Sequence, residues 1–227
     1  MIKKFTVLAL SLTFLNSVQK IAAQVYIAPE AGLALNKMNS KTDESNPYYN
    51  YEIKAQPSFN AGVGIQVALN KHLIIQSGIF YDRYRYMHKG IPKPDPDNLN
   101  IIYTPSSVLF TIQYARLPIR LSYYHDISKG AKLFAGLGGY AATTIYGKIG
   151  KNAPYKSELR FGKGGGNDFK SLDAGVLGYI GYQSPFGLFA RFQYEQGLRD
   201  LSNQDFVHRR NSGLSLSVGY RWHVQAN

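Results

Sequence analysis

From Leu214 to Trp222 the chain alternates without a break. Leu214, Leu216, Val218, Tyr220 and Trp222 fall on one side, and Ser215, Ser217, Gly219 and Arg221 on the other. A two-residue period marks a strand with one apolar and one polar face, whereas a helix would scatter both sets around its circumference. The period recurs upstream. Between 25 and 36, Val25, Ile27, Ala31, Leu33 and Leu35 oppose Tyr26, Glu30 and Asn36. Between 58 and 69, Phe59, Ala61, Val63, Ile65, Val67 and Leu69 alternate with Asn60, Gly62, Gly64, Gln66 and Ala68. Segment 72–86 sets Leu73, Ile75, Ile79 and Tyr81 against Gln76, Gly78, Asp82 and Tyr84, and segment 108–125 sets Ala115, Leu117, Ile119, Leu121 and Tyr123 against Arg116, Arg120 and Ser122. Segment 132–146 is glycine-rich and less decisive. Leu172, Ala174, Val176, Ile180 and Tyr182 then oppose Asp173, Gly175 and Gln183, and Leu188, Ala190, Phe192 and Tyr194 oppose Arg191, Gln193 and Glu195. The pattern predicts eight strands.

The connections alternate in length. Asn70-Lys71, Asp126–Gly130 and Ser184–Gly187 are hairpin-sized and hold turn-forming residues, while 37–57, 87–107, 147–170 and 199–210 are long and polar. In an up-and-down meander, this puts every short turn at one end and every long loop at the other. Transmembrane barrels have that asymmetry, with short periplasmic turns and longer external loops. A lipocalin-like soluble barrel also has eight antiparallel strands, but it buries its apolar face. Here the other face carries Glu30, Arg116, Arg120, Asp173, Arg191, Glu195 and Arg221 at mid-strand. Such charges suit a paired, hydrated lumen better than a dry cavity. The expected fold is therefore an all-β, eight-stranded antiparallel up-and-down transmembrane β-barrel spanning 24–227.

The first 23 residues support export. Lys3 and Lys4 precede an apolar run from Phe5 to Leu15, and Ala22-Ala23 follows a polar stretch. The run is too short for a spanning helix, which needs about 20 apolar residues. It reads as a signal peptide at 1–23, cut after Ala23 or alternatively Ala22. A buried N-terminal helix is the competing reading. The expected location is the bacterial outer membrane.

Composition adds three points. Eighteen Tyr, 12 Phe and 22 Gly suit a strand-rich chain. The absence of cysteine excludes disulfides, thiolate metal sites and a lipoprotein signal. The formal charge of +12 becomes 12 − 3 = +9 once Lys3, Lys4 and Lys20 leave. These charges are scattered without a basic arm or a nucleic-acid motif, so no nucleic-acid partner is expected.

Several stretches carry a family resemblance: Tyr114-Ala-Arg-Leu-Pro-Ile-Arg-Leu-Ser-Tyr123, Lys132–Gly139, Asp173–Val176, Phe186–Leu198 and Gly213–Trp222. They resemble the PorT-like outer-membrane β-barrel family of Bacteroidetes. The resemblance implies an outer-membrane barrel and assigns no single activity. The family often has an acidic residue before the Leu-Pro step, where Arg116 stands here, so the pairing inside the barrel must differ.

Candidate chemistry is sparse. His72, His88, His125, His208 and His223 have no metal-ligand spacing, and neither a catalytic site nor a cofactor is expected. The enzyme alternative is an outer-leaflet lipid A deacylase or acyltransferase, using His88 or His208 with Ser106, Ser107 or Ser202. Gly162-Lys-Gly-Gly-Gly166 lacks the Lys-Ser/Thr of a phosphate-binding P-loop. The expected role is structural or interactive. Glu30, Arg116, Arg120, Asp173, Arg191, Glu195 and Arg221, with Asp82 as a further candidate, would form a lumen ion-pair network that plugs the barrel rather than conducting. Lys148, Lys151, Lys156, Arg160 and Lys163 would contact lipid phosphate. Outer-membrane lipid is the expected partner, with lipopolysaccharide or another envelope protein at the loops. Tyr81, Tyr84, Tyr86, Tyr123, Tyr124, Tyr182, Tyr194, Tyr220 and Trp222 are expected in aromatic girdles at the two interfaces.

Overall fold

The computed structural model describes residues 24–42, 49–92, 106–150, 157–164, 166–203 and 207–224. The signal segment 1–23 lies outside the described residues.

Eight main strands run in sequence: β1 (Val25–Thr42), β2 (Tyr49–Ala68), β3 (Leu73–Pro92), β4 (Ser106–Ser128), β5 (Ala131–Gly150), β6 (Leu172–Gln183), β7 (Leu188–Gly197) and β8 (Val207–Tyr220). Each is antiparallel to the next, and β8 pairs with β1 to close the ring. A two-residue strand, Ser157–Glu158, pairs with the outer end of β5.

Closure fixes the stagger. One row of partners runs Ile27, Ile65, Ser77, Ile119, Gly139, Val176, Gln196, Ser212 and back to β1 at Lys37. The row returns ten residues beyond its start. Ten residues at about 3.3 Å, set against eight strands about 4.8 Å apart, tilt the strands by roughly 41°. That lies within the range for membrane barrels.

The faces sort as the alternation requires. Leu33, Ile79 and Leu137 point outward with 70% or more of their surface exposed, and Ile65, Leu117, Ile119, Ile180 and Leu216 share that exposed face. Arg116, Arg120 and Arg191 point inward and are buried. Apolar residues outside and ions inside exclude the soluble barrel. On β1 the outward apolar positions run from Val25 to Leu35, which at this tilt is about 25 Å of height.

Three features depart from the sequence reading. First, β1 to β5 and β8 extend well beyond their apolar stretches, so the long connections are shorter than expected. Segments such as Lys37–Thr42 lack apolar alternation because they stand above the apolar band, yet their backbone pairs with β8 throughout. Second, the last strand is interrupted at Arg221 and resumes as Trp222–Val224. Glu30↔Gly219 and Ile27↔Trp222 are paired, but Ala28 and Pro29 have no ladder partner on β8. Proline has no N–H to donate, and the Arg221 N–H turns instead to Gly187 O at 3.0 Å. His223 and Val224 pair with Tyr26 and Val25, so the pairing continues past Trp222. Third, Tyr84, Tyr86 and Tyr124 are buried inside rather than forming girdles, because they occupy inward positions of β3 and β4.

Interior rings interlock with glycines on the next strand. A Cβ on Gly181 would collide with the Phe134 ring, so only glycine permits that approach. The β4–β5 turn uses Lys129 (φ 48°) and Gly130 (φ 85°), the paired positive φ values of a tight hairpin turn.

Candidate functional site

The interior has two storeys. The lower one is ionic. Glu30 on β1 receives Arg120 Nη1 from β4 at 3.1 Å and Arg191 Nη1 from β7 at 2.9 Å. Arg191 Nη2 also donates to Gln76 Oε1 at 2.8 Å. Arg116 lies 2.7 Å from Asp82 through Nε, an ion pair by distance whose N–H is not aligned for a hydrogen bond. Its Nη1 donates to Glu195, which also accepts from the Tyr84 hydroxyl and, at 3.1 Å, from Gln193. Three arginines thus face three carboxylates. Both the β1–β4 and the β4–β7 contacts join strands three places apart in a ring of eight, so the side chains reach across the lumen.

Aromatic rings brace the cations. Arg120 sits 5.0 Å from the Phe80 centroid and Arg191 5.1 Å from that of Tyr179. Two sequence candidates stand apart from this lattice. Asp173 is held by the Asn211 amide at 2.8 Å and the Tyr140 hydroxyl at 3.3 Å, and no arginine pairs with it among the described residues. Arg221 lies at the short-turn end, 3.5 Å from the Tyr26 ring centroid and 3.4 Å from Gln183 Oε1. Asp82 joins the lattice through its ion pair with Arg116, although its segment offered only the alternation to mark it.

The upper storey is aromatic. Met38, Tyr86, Phe110 and Phe169 close the mouth around a void of about 20 Å3, lined also by Ser40, Ile53, His88 and Arg209. Such a void is the size of one water. Phe169 stacks on Phe161 at 6.2 Å, and Arg209 lies 5.0 Å from its centroid. The segment carrying these rings is tied down by backbone bonds from Lys170 to Leu201 and from Leu201 to Arg209. A larger groove of about 570 Å3, between Tyr123, Leu133, Ala135, Ile180, Tyr182 and Phe192, opens on the outward apolar surface.

Beside the mouth, Asp200 accepts from the Arg209 N–H at 2.9 Å and the Ser202 N–H at 3.0 Å, and lies 2.7 Å from His208 Nδ1. Desolvation alone would raise its pKa, but these bonds and the charge of Lys170 outweigh it and hold the carboxyl below the ordinary aspartate value. The remaining histidines pack on aromatics or lie exposed. His72 stacks on Tyr123, and His223 meets Tyr26 edge-on. Among the described residues no three His, Asp or Glu side chains converge as a metal site. Of the loop cations, Lys148, Arg160 and Lys163 are exposed, and Lys151 and Lys156 fall outside the described residues.

A closed antiparallel ring with a hydrocarbon-compatible exterior and an ion-paired interior is an integral β-barrel of the bacterial outer membrane. The chain belongs to the outer membrane protein beta-barrel domain family, which matches residues 19–203. Among curated proteins none matches. Among solved structures, the outer membrane protein OprG from Pseudomonas aeruginosa is similar with a TM-score of 0.52 and 10% identity, over 92% of this chain and 100% of that one. Neisserial surface protein A gives 0.43 and 14%, over 86% and 96%. The Yersinia pestis attachment invasion locus protein Ail, in complex with a heparin analogue, gives 0.41 and 14%, over 88% and 99%. At these identities the OprG likeness bears on the fold alone.

Proposed function

We propose that this PorT-like barrel has a structural or interaction role and that its long-loop end contacts lipopolysaccharide or another envelope protein. The observation that carries this reading is the filled interior. Arginine–carboxylate contacts cross the lumen from three strands away, and an aromatic layer lies over them. An eight-stranded barrel has an interior just wide enough for its own side chains, so its exterior and its loops remain for binding. Exposed Lys148, Arg160 and Lys163, with Lys151 and Lys156 in the adjoining sequence, give the loop a basic character suited to lipid phosphate. The test is extraction from outer membranes in mild detergent, followed by lipid analysis of the purified barrel. Lipopolysaccharide or an envelope protein should be retained in stoichiometric amount, and a barrel recovered with neither sinks the reading.

A second reading, an outer-leaflet lipid-modifying enzyme, draws on the 2.7 Å pair of His208 and Asp200, since a carboxylate behind an imidazole orients a catalytic base. Mass spectrometry of lipid A from cells with and without the protein separates the two. A change in acyl chains would favour the enzyme.

A further inference from the structure

The outward face of the barrel is not uniformly neutral where its apolar band ends on the long-loop side. On β3 the outward series runs Ile75, Ile79, Tyr81 and then Arg83 and Arg85, whose neighbours Asp82, Tyr84 and Tyr86 point inward. On β1, Lys37 follows Leu33 and Leu35 on the outward face, with Met38 turned inward. On β8, Arg210 is exposed two positions beyond Ser212, and it pairs with Asn39 of β1.

The ten-residue stagger allows these positions to be compared in height, because each step to the next strand corresponds to 1.25 residues of axial rise. With that correction Lys37, Arg83, Arg85 and Arg210 fall within about 6 Å of one another along the barrel axis. They occupy the consecutive arc β8–β1–β2–β3. At the same level the outward strand positions of the arc β4–β7 are Gln113, Thr143, Leu172 and Gln196, none of them charged. Among outward strand positions the basic rim is therefore confined to one side.

The two arginines are built into the surface rather than waving in solvent. Arg83 lies 5.9 Å from the centroid of Phe59, an outward ring of the apolar band. Arg85 donates to Pro57 O at 3.2 Å, and that carbonyl belongs to a stretch where the β2–β3 register shifts. The Nε atoms of both arginines are buried without a hydrogen-bond partner, and none of the four cations has a carboxylate within ion-pair distance among the described residues. The neighbouring Lys54 is already paired with Glu52.

Half-buried guanidinium groups at the upper edge of a hydrocarbon-facing surface need anions at that same depth. The anions found there are the phosphates of lipids whose acyl chains lie against the band below. We infer that the arc formed by Lys37, Arg83, Arg85 and Arg210 is a binding site for the phosphorylated headgroup of lipid A in the outer leaflet. Leu33, Leu35, Phe59 and Tyr81 form the apolar wall beneath it. Arginine's planar fork suits two phosphate oxygens at once, and each basic group near an anionic surface adds to the attraction. This inference rests on the lipopolysaccharide reading above and moves the main contact from the loop to the strand faces.

The test uses the folded barrel in detergent, titrated with bisphosphorylated lipid A and with dephosphorylated lipid A, and read by native mass spectrometry. Lys37→Gln, Arg83→Gln, Arg85→Gln and Arg210→Gln are combined in one variant, and Lys148→Gln, Arg160→Gln and Lys163→Gln in a second. Heat-modifiable gel mobility checks that both fold. The arc variant should bind bisphosphorylated lipid A at least about tenfold more weakly, with unchanged binding of the dephosphorylated form, while the loop variant binds as the native protein does. Loss in the loop variant with none in the arc variant overturns the arc and leaves the lipopolysaccharide reading standing. Equal native binding of both lipids overturns the two together. If the arc variant misfolds, the pair Lys37→Gln and Arg210→Gln, both exposed, serves with the same readout.

Discussion

Glu30 on β1 and Arg120 on β4 meet at 3.1 Å across the barrel interior, and Arg191 approaches the same carboxylate from β7 at 2.9 Å. One acidic side chain therefore ties together three walls of the ring. Removing it leaves two buried guanidinium groups without their counter-charge. Glu30→Ala is expected to lower stability by about 3–5 kcal/mol, the usual result of breaking a buried pair from one side. Urea unfolding in lipid vesicles measures it. A loss below about 1 kcal/mol would show that the lattice does little for stability.

The Phe134–Gly181 contact makes a second, independent prediction. A methyl group on Gly181 would collide with the ring, so Gly181→Ala should cost about 1–3 kcal/mol. Combining it with Phe134→Leu should cost less than the sum of the two changes, because the smaller side chain makes room. Gly166→Ala, where an added Cβ meets nothing within 4 Å, is the control and should be neutral. Additive costs in the double variant would refute the interlock.

Acid should loosen the bonds beside the mouth. The folded pKa of Asp200 is depressed, so its contribution is fully present above the ordinary aspartate value of about 3.9 and is lost as pH falls through the lower folded value. The Ser202 and Arg209 amide signals, followed by NMR in micelles, should titrate with a midpoint below that ordinary value. In Asp200→Asn the titration should vanish. A midpoint at or above the ordinary value contradicts the bonding described here.

Planar-bilayer recording tests the filled interior directly. The native barrel should show no large, steady ionic current, since the cross-lumen pairs and the aromatic layer occupy the path. A sustained open state in most insertions would mean that the lattice rearranges in the membrane, and the structural role proposed above would lose its main support.

Alternation alone determined the two faces of seven of the eight strands, since a side-chain period of two leaves no freedom once a segment is extended. It also placed Glu30, Arg116, Arg120, Arg191 and Glu195 on one face, while export was legible in the first 23 residues and the outward apolar face in the alternation of short and long connections. Lys132–Tyr146 resisted because its glycines carry no polarity to sort. What the linear pattern left open was everything that depends on closure. The ten-residue stagger decides which side chains share a height, and so which arginine meets which carboxylate. It left Asp173 to an amide and a hydroxyl, and Arg221 at the far end, while the β3–β4 register set Asp82 beside Arg116. The strand extensions above the apolar band escaped for a related reason. Their pairing is fixed by backbone hydrogen bonds to neighbours remote in sequence, which no local pattern of polarity records.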